Sequence, residues 1–282
     1  MEVLKNKKTL QDFVERQKEM GKKIGFAPTM GALHNGHLSL YKMAREENDL
    51  VISSIFVNPT QFNNAEDLEK YPRNIERDIL ILKNSGLVDA VYIPEVEDIY
   101  PEKAESQHYN FDGLEDEMEG KSRPGHFDGV GTVVEELFHQ VKPDNAYFGE
   151  KDFQQLAIIR KMVEKKKLPV KIKGVPIYRA ENGLALSSRN QRLHEDRRES
   201  SKIIYETLKK VNEWFRVITV PEIKQRVADI FDHQQGMDLE YFLIADEDTL
   251  KETDFFYKDR NFRAFIVVVV DGVRLIDNMH LD

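Results

Sequence analysis

Pro28-Thr29-Met30-Gly31-Ala32-Leu33-His34-Asn35-Gly36-His37-Leu38-Ser39-Leu40 is the stretch whose reading decides the fold. The apolar run Ile24-Gly25-Phe26-Ala27 precedes it, and apolar residues recur at helical spacing from Leu38 to Ala44. The pattern predicts a strand, a glycine-bearing loop and a helix start. A helix N-terminus carries unpaired N–H groups and the positive end of the macrodipole, so it suits a phosphate. His34 and His37 stand three apart on one side of that turn, where two imidazoles can donate to phosphate oxygens. Gly31 and Gly36 lack a Cβ and let the backbone approach a ligand closely. A surface loop with two incidental histidines is the competing reading of this string alone.

Outward from the loop, strands and helices alternate. Residues 8–20 read as a helix with Thr9 as N-cap and Gly21 as its stop. The helix after the loop runs to about Asn48. Leu50-Val51-Ile52-Ser53-Ser54-Ile55-Phe56-Val57 has the near-continuous apolar character of a strand buried on both faces of a parallel sheet. It ends in the polar Asn58-Pro59-Thr60-Gln61-Phe62. Residues 73–84 carry Ile75, Ile79, Leu80 and Leu82 at helical spacing, with Gly86 as C-cap. Further strands are predicted at 90–94, 146–148 and 170–175, and further helices at 128–141 and 153–166. This rhythm predicts an α/β fold, a doubly wound parallel sheet, over residues 1–176. Ligands of such sheets collect at the carboxyl ends of the strands. That places the histidine loop, Asn58, Gln61 and Gly149-Glu150-Lys151-Asp152 at one rim, with one amide of Gln154-Gln155 facing it. From residue 177 to 282 the rhythm changes to a smaller α+β C-terminal domain. It has a turn at Glu181-Asn182-Gly183, helices near 195–214 and 221–235, and strands near 239–245, 264–270 and 273–276.

Composition narrows the function classes. The 282 residues suffice for one large or two moderate domains. The absence of cysteine excludes disulfides, thiolate nucleophiles and cysteine-based zinc sites, and is consistent with a cytoplasmic protein. Met-Glu-Val-Leu-Lys-Asn-Lys-Lys at the start has no apolar core of a secretory signal. The most apolar short run, Phe265-Ile266-Val267-Val268-Val269-Val270, is too short to span a bilayer and reads as a buried strand. A net charge of −9 argues against an extended nucleic-acid surface. Lys165-Lys166-Lys167 with Lys171 and Lys173 reads as a solvated helix end.

Three further clusters carry chemistry or an ordinary surface role. Lys121-Ser122-Arg123-Pro124-Gly125-His126-Phe127-Asp128-Gly129-Val130 reads as a shaped loop in which Arg123 binds phosphate or carboxylate; a plain solvent loop is the alternative. Lys151, at a strand-to-helix turn, supplies a compact charge suited to phosphates or a surface ion pair, and Asp152 is a candidate N-cap. Ser187-Ser188-Arg189 suits polyphosphate binding or helix capping equally. Asp49, Asp67, Asp78 and Asp89 read mostly as surface charges, and no His-x-x-x-His or clustered-carboxylate metal site is present. Nor is there a nucleophile elbow, a Walker loop or a G-x-G-x-x-G, so covalent catalysis by the protein is not expected.

Seven separated stretches together resemble the pantothenate synthetase (pantoate–β-alanine ligase) family. They are residues 28–40, 56–62, 71–73, 123–127, 144–156, 183–190 and 274–278. The H-x-G-H string alone marks only a broad nucleotidyltransferase superfamily. The resemblance implies a Rossmann-like N-terminal domain, a C-terminal domain closing over ATP, a homodimer and a cytoplasmic setting. It implies ligation of pantoate and β-alanine through pantoyl adenylate, releasing pyrophosphate and then AMP. It assigns ATP contacts to Met30, Gly31, Ala32, Leu33, His34, Asn35, Gly36 and His37, to Gly149, Glu150, Lys151 and Asp152, and to Tyr178, Leu186, Ser187, Ser188 and Arg189. His37, His34 and Lys151 are its catalytic candidates, and Gln61, Gln155, Asn58 and Arg123 its substrate-binding ones. Mg2+ is expected to accompany ATP, held mostly by phosphate oxygens, with Asp78 as a minor candidate. Asn63-Asn64, Tyr178 and His194-Glu195-Asp196 depart from the usual pattern. Two rivals remain: another H-x-G-H nucleotidyltransferase that stops at the nucleotidyl product, and an idle nucleotide-binding protein.

Overall fold

The computed structural model describes residues 1–63, 68, 69 and 71–282. Expectations attached to Asn64 and Asp67 lie outside the described residues. The chain divides into two compact units, Met1–Glu150 with Gln154–Pro176, and Lys151–Phe153 with Ile177–Asp282.

The first unit is built on six parallel strands: β1 (Glu2–Leu4), β2 (Ile24–Thr29), β3 (Leu50–Ile55), β4 (Ala90–Tyr92), β5 (Asn145–Gly149) and β6 (Lys171–Val175). Their order is β1-β4-β3-β2-β5-β6, so the sheet reverses direction of growth between β2 and β5. β2 pairs with β3 along its whole length, from Ile24↔Leu50 to Thr29↔Ile55. It pairs with β5 only at Gly25↔Asn145 and Phe26↔Ala146. The carboxyl halves of β2 and β5 therefore part, which is the crevice expected at a topological switch point. β3 is buried at every position, as its apolar run predicts. It stops at Ile55 rather than running to Val57, and the bond from Phe56 N–H to Thr29 O (3.0 Å) is the last rung of its pairing with β2.

The helices of this unit are α1 (Lys7–Glu19), α2 (Asn35–Glu47), α3 (Ile75–Ser85), α4 (His126–Val141) and α5 (Phe153–Lys166), the first residue of α5 counting with the second unit. α1 is capped by Asn6, whose side chain accepts from Thr9 N–H; Thr9, expected as the cap, is the third residue of the capping box. α3 ends as predicted at Gly86, in the left-handed conformation with φ 65°. β1 was not legible in the sequence, because a three-residue edge strand is below the length at which alternation shows. The expected loop at 121–130 is mostly helix: Met118–Ser122 and α4 leave only Arg123, Pro124 and Gly125 between them.

The second unit carries an antiparallel sheet of β7 (Met237–Asp246), β8 (Phe262–Val270) and β9 (Val273–Leu281). Helices α6 (Lys202–Trp214) and α7 (Val220–Asp232) cover it. Leu208, Val211, Ile223, Val227, Ile266 and Val268 lie in their shared core. The helix expected over 195–214 is interrupted at Ser201, which caps a short Glu195–Ser200 segment and opens α6. β9 continues to Leu281 because it pairs with β8 out to Phe262↔Leu281. No helix among the described residues is long and apolar enough to cross a membrane.

Candidate active site

The loop leaving β2 is held by a side chain that the sequence placed at the surface. Asp78 on α3 is 1% exposed, and its two oxygens accept from the N–H groups of Ala32 and Leu33, both at 2.8 Å. Asp78 is thus a buried clamp, not an exposed charge. Gly31 (φ 84°) is required beside it: a Cβ there would stand 2.9 Å from Asp78 Oδ2. Ala32 also takes a left-handed conformation, φ 51°, which the paired amide bonds hold in place.

The two histidines form a capping box at the start of α2. His34 is the N-cap, and its Nδ1 accepts from Gly36 N–H (3.1 Å). His37 is the third helical residue, and its Nδ1 accepts from His34 N–H (3.3 Å). A neutral imidazole that accepts at Nδ1 carries its proton on Nε2, so the hydrogen-bond pattern assigns both rings as Nε2–H donors. The ring centroids lie 4.1 Å apart, which sets two such donors side by side at a helix N-terminus.

Gln61 ends the short 3-10 turn Pro59–Gln61 that follows β3. It is 8% exposed, and its Nε2 lies 2.9 Å from Met30 Sδ, joining this turn to the histidine loop. Asn58 caps the turn and is 1% exposed. Its Nδ2 donates to Gly129 O (3.0 Å) and Gln61 Oε1 (3.2 Å), and its Oδ1 accepts from the Tyr100 hydroxyl (2.7 Å). Asn58, expected to bind substrate, is occupied on both sides within the protein. His126 Nδ1 donates to Gln61 O (2.7 Å), and Arg123 donates to the same oxygen (3.3 Å). Gly129 on α4 allows this approach, since a Cβ there would stand 2.6 Å from Thr60 O. Gln154 is buried, giving its Nε2 to Leu114 O and Glu117 O and taking Glu119 N–H on Oε1. Of the glutamine pair, Gln155 is the half-buried one, with no side-chain hydrogen bond among the described residues. Gly149 and Glu150 stand half-buried where β5 ends.

In the second unit, Lys151, Leu184, Ser187, Asn190, Leu275 and Asp277 line a small recess. Lys151 is placed through its backbone: Asn278 Nδ2 donates to Lys151 O (2.9 Å), and Arg263 donates to Asn278 Oδ1 (2.6 Å). Its ammonium lies 3.5 Å from Asp152. Arg179 meets both oxygens of Asp277, at 2.6 and 3.0 Å, a bidentate fork. Burial pushes the Asp277 carboxyl up from its ordinary value, and Arg179 opposes that shift. The turn at Glu181-Asn182-Gly183 forms as predicted, with Gly183 at φ 91° and Leu186 N–H bonded to Tyr178 O (3.0 Å). The Tyr178 side chain is exposed. Ser187 caps the 3-10 turn Ser188–Arg192 by accepting from Arg189 N–H (3.3 Å), and Ser188 is buried.

In the first unit Met30, Asn58 and Arg123 thus meet at Gln61, and His34 and His37 stand at the start of α2. The second gathers Lys151 with Ser187. Sequence reasoning missed the clamp of Asp78, the Tyr100 hydroxyl, and the link from His126 to Gln61. A pantoate-beta-alanine ligase family description matches residues 2–280 of the chain. The chain belongs to the pantoate–β-alanine ligase family. It is 50% identical over 282 residues to the pantothenate synthetase of Christiangramia forsetii, covering 100% of both chains. It is 51% identical over 272 residues to that of Flavobacterium psychrophilum, covering 96% of this chain and 95% of the relative. Among solved structures, pantothenate synthetase from Thermus thermophilus superposes with TM-score 0.90 at 38% identity, covering 99% of each chain. A pantoate–β-alanine ligase from Francisella tularensis complexed with β-γ ATP and β-alanine matches with TM-score 0.82 at 38% identity, over 99% of this chain and 97% of that one.

Proposed function

We infer that the crevice at the ends of β2 and β5 activates pantoate with ATP, and that the chain then joins the activated acid to β-alanine. A pantoate carboxylate oxygen attacks the α-phosphorus of ATP, and the bond to pyrophosphate breaks. The β-alanine amine next attacks the acyl carbon of pantoyl adenylate; the C–O bond to AMP breaks and the amine loses a proton. The observation that carries this reading is the histidine capping box. It leaves His34 and His37 as adjacent Nε2–H donors at a helix N-terminus, fitted to the charge that grows on departing pyrophosphate. No protein nucleophile is needed, since such displacements depend on positioning and charge stabilisation.

Gln61, Gln155 and Arg123 are assigned to pantoate, with Gln61 also at β-alanine, and Asn58 supports Gln61 from within. Met30 to His37, together with Gly149, Glu150, Asp152, Tyr178 and Leu186, are assigned to ATP. Lys151, Ser187, Ser188 and Arg189 are assigned to its phosphates. Magnesium is held mostly by the ATP phosphate oxygens in this proposal, in keeping with the lack of any group of three or more metal-ligating side chains among the described residues. A cytoplasmic homodimer completes the reading on the strength of the family resemblance. The test is single-turnover pyrophosphate release by His37→Ala with Mg-ATP and pantoate. A fall of about a hundredfold, with the fold intact by circular dichroism, is expected. An unchanged rate removes His37 from the mechanism.

A further inference from the structure

We propose that Tyr100 is a positioning residue for pantoate: through Asn58, its hydroxyl sets which end of the Gln61 amide meets the substrate. The proposal rests on the assignment of Gln61 to pantoate. Tyr100 follows the short helix Val96–Ile99 and is buried. Its hydroxyl lies 2.7 Å from Asn58 Oδ1 and 2.9 Å from Thr60 Oγ1. Burial pushes that hydroxyl up from its ordinary value, so it remains a donor at neutral pH.

An amide side chain can be reversed end for end, and only its partners decide which end is which. The partners of Asn58 are not interchangeable. Oδ1 is met by the Tyr100 hydroxyl, by Thr60 Oγ1 (3.2 Å) and by Thr60 N–H (3.4 Å). Nδ2 is met by two carbonyl oxygens, Gly129 O and Gln61 Oε1. Reversal would set N–H against N–H at Thr60 and oxygen against oxygen at Gly129. With Asn58 held this way, Gln61 must turn Oε1 toward it and its NH2 away. One N–H of Gln61 meets Met30 Sδ, a weak acceptor, and the other has no partner among the described residues. Gln61 therefore offers a donor, which fits an oxygen lone pair of a carboxylate or hydroxyl group and discriminates against a donor at that point. The backbone of Gln61 is fixed independently by His126 and Arg123, so the Tyr100–Asn58 pair controls the side chain alone.

The test is a double-mutant cycle with Tyr100→Phe and Gln61→Ala, reading KM for pantoate and for ATP separately together with the melting temperature. Tyr100→Phe keeps the ring and removes one O–H. It is expected to raise KM for pantoate about threefold to tenfold, the scale of one net hydrogen bond, with KM for ATP unchanged. In the Gln61→Ala background the same change is expected to alter KM for pantoate by less than about twofold. An equal effect in both backgrounds, no effect in either, or a parallel rise in both KM values with a lowered melting temperature overturns the positioning role. If Gln61→Ala itself leaves KM for pantoate unchanged, the assignment of Gln61 is overturned, and this proposal with it.

Discussion

Gly129→Ala joins the packing of a helix to the geometry of the turn that carries Gln61, assigned above to pantoate. The added Cβ would sit 2.6 Å from Thr60 O and 2.8 Å from both Cα and N of Gln61, all backbone atoms. Ordinary contact begins at 3.4 Å, so α4 and the Pro59–Gln61 turn must separate by about 0.8 Å. No flexible side chain can yield in their place. The movement stretches the bonds from Asn58 to Gly129 O (3.0 Å) and from His126 to Gln61 O (2.7 Å). Overpacking costs roughly 1–3 kcal/mol, and two weakened buried hydrogen bonds add about 1 kcal/mol each. Better helix propensity returns about 1 kcal/mol. The net loss is about 2–4 kcal/mol, a fall in melting temperature of roughly 5–10 °C. Misplacing Gln61 by nearly an ångström should lower kcat/KM for pantoate about tenfold to a hundredfold. Thermal melts and steady-state kinetics on the variant read both effects. Propensity alone predicts the opposite sign, so a raised melting temperature with pantoate kinetics unchanged refutes the reasoning.

Asp78→Asn sets an amide donor against one of two backbone N–H groups. We expect a loss of about 2–4 kcal/mol by chemical denaturation, with impaired ATP use, since the histidine loop loses half its clamp. Asn278→Ala removes the bond that pins Lys151 O and should raise KM for ATP with that for pantoate little changed, measured by varying each substrate in turn. Glu135 gives a pH prediction. Burial raises its carboxyl, but the Tyr109 hydroxyl (2.6 Å) and Lys166 (3.1 Å) outweigh that and hold it below its ordinary value. A carboxyl lowered in the folded state adds stability above its unfolded pKa of about 4.3, and this is lost as pH falls through the folded value. Tyr109→Phe should therefore shrink the fall in stability on the acid side of about pH 4, as read by denaturation midpoints across pH.

Residues 24–55 were legible because local and tertiary demands coincide there: β3 is largely apolar and buried throughout, and the turn into α2 carries glycine where positive φ is needed. The histidines were legible as a pair, but their capping geometry depends on which nitrogen faces the backbone, which spacing does not specify. Asp78 was misread because, among helical neighbours, a carboxylate has no mark of burial. Its partners are amides about 45 residues away in the chain. Asn58 was read as substrate-binding for the same reason: a polar residue at a rim position can face the ligand or brace the residue that does. Thr9 shows the limit at short range, since both Asn6 and Thr9 are good caps and the box uses both. Lys151 was singled out by its place at a strand-to-helix turn. The Asn278 and Arg263 bonds that hold it come from β9 and β8 at the far end of the chain.

The central claim, activation of pantoate by ATP followed by capture with β-alanine, is tested most directly by mixing purified protein with Mg-ATP and pantoate. Pyrophosphate and AMP are then measured before and after β-alanine is added. A single equivalent of pyrophosphate with pantoate alone, and sustained AMP release only once β-alanine is present, is the predicted result. No pyrophosphate with pantoate, despite measurable ATP binding, or AMP release independent of β-alanine, would contradict the account.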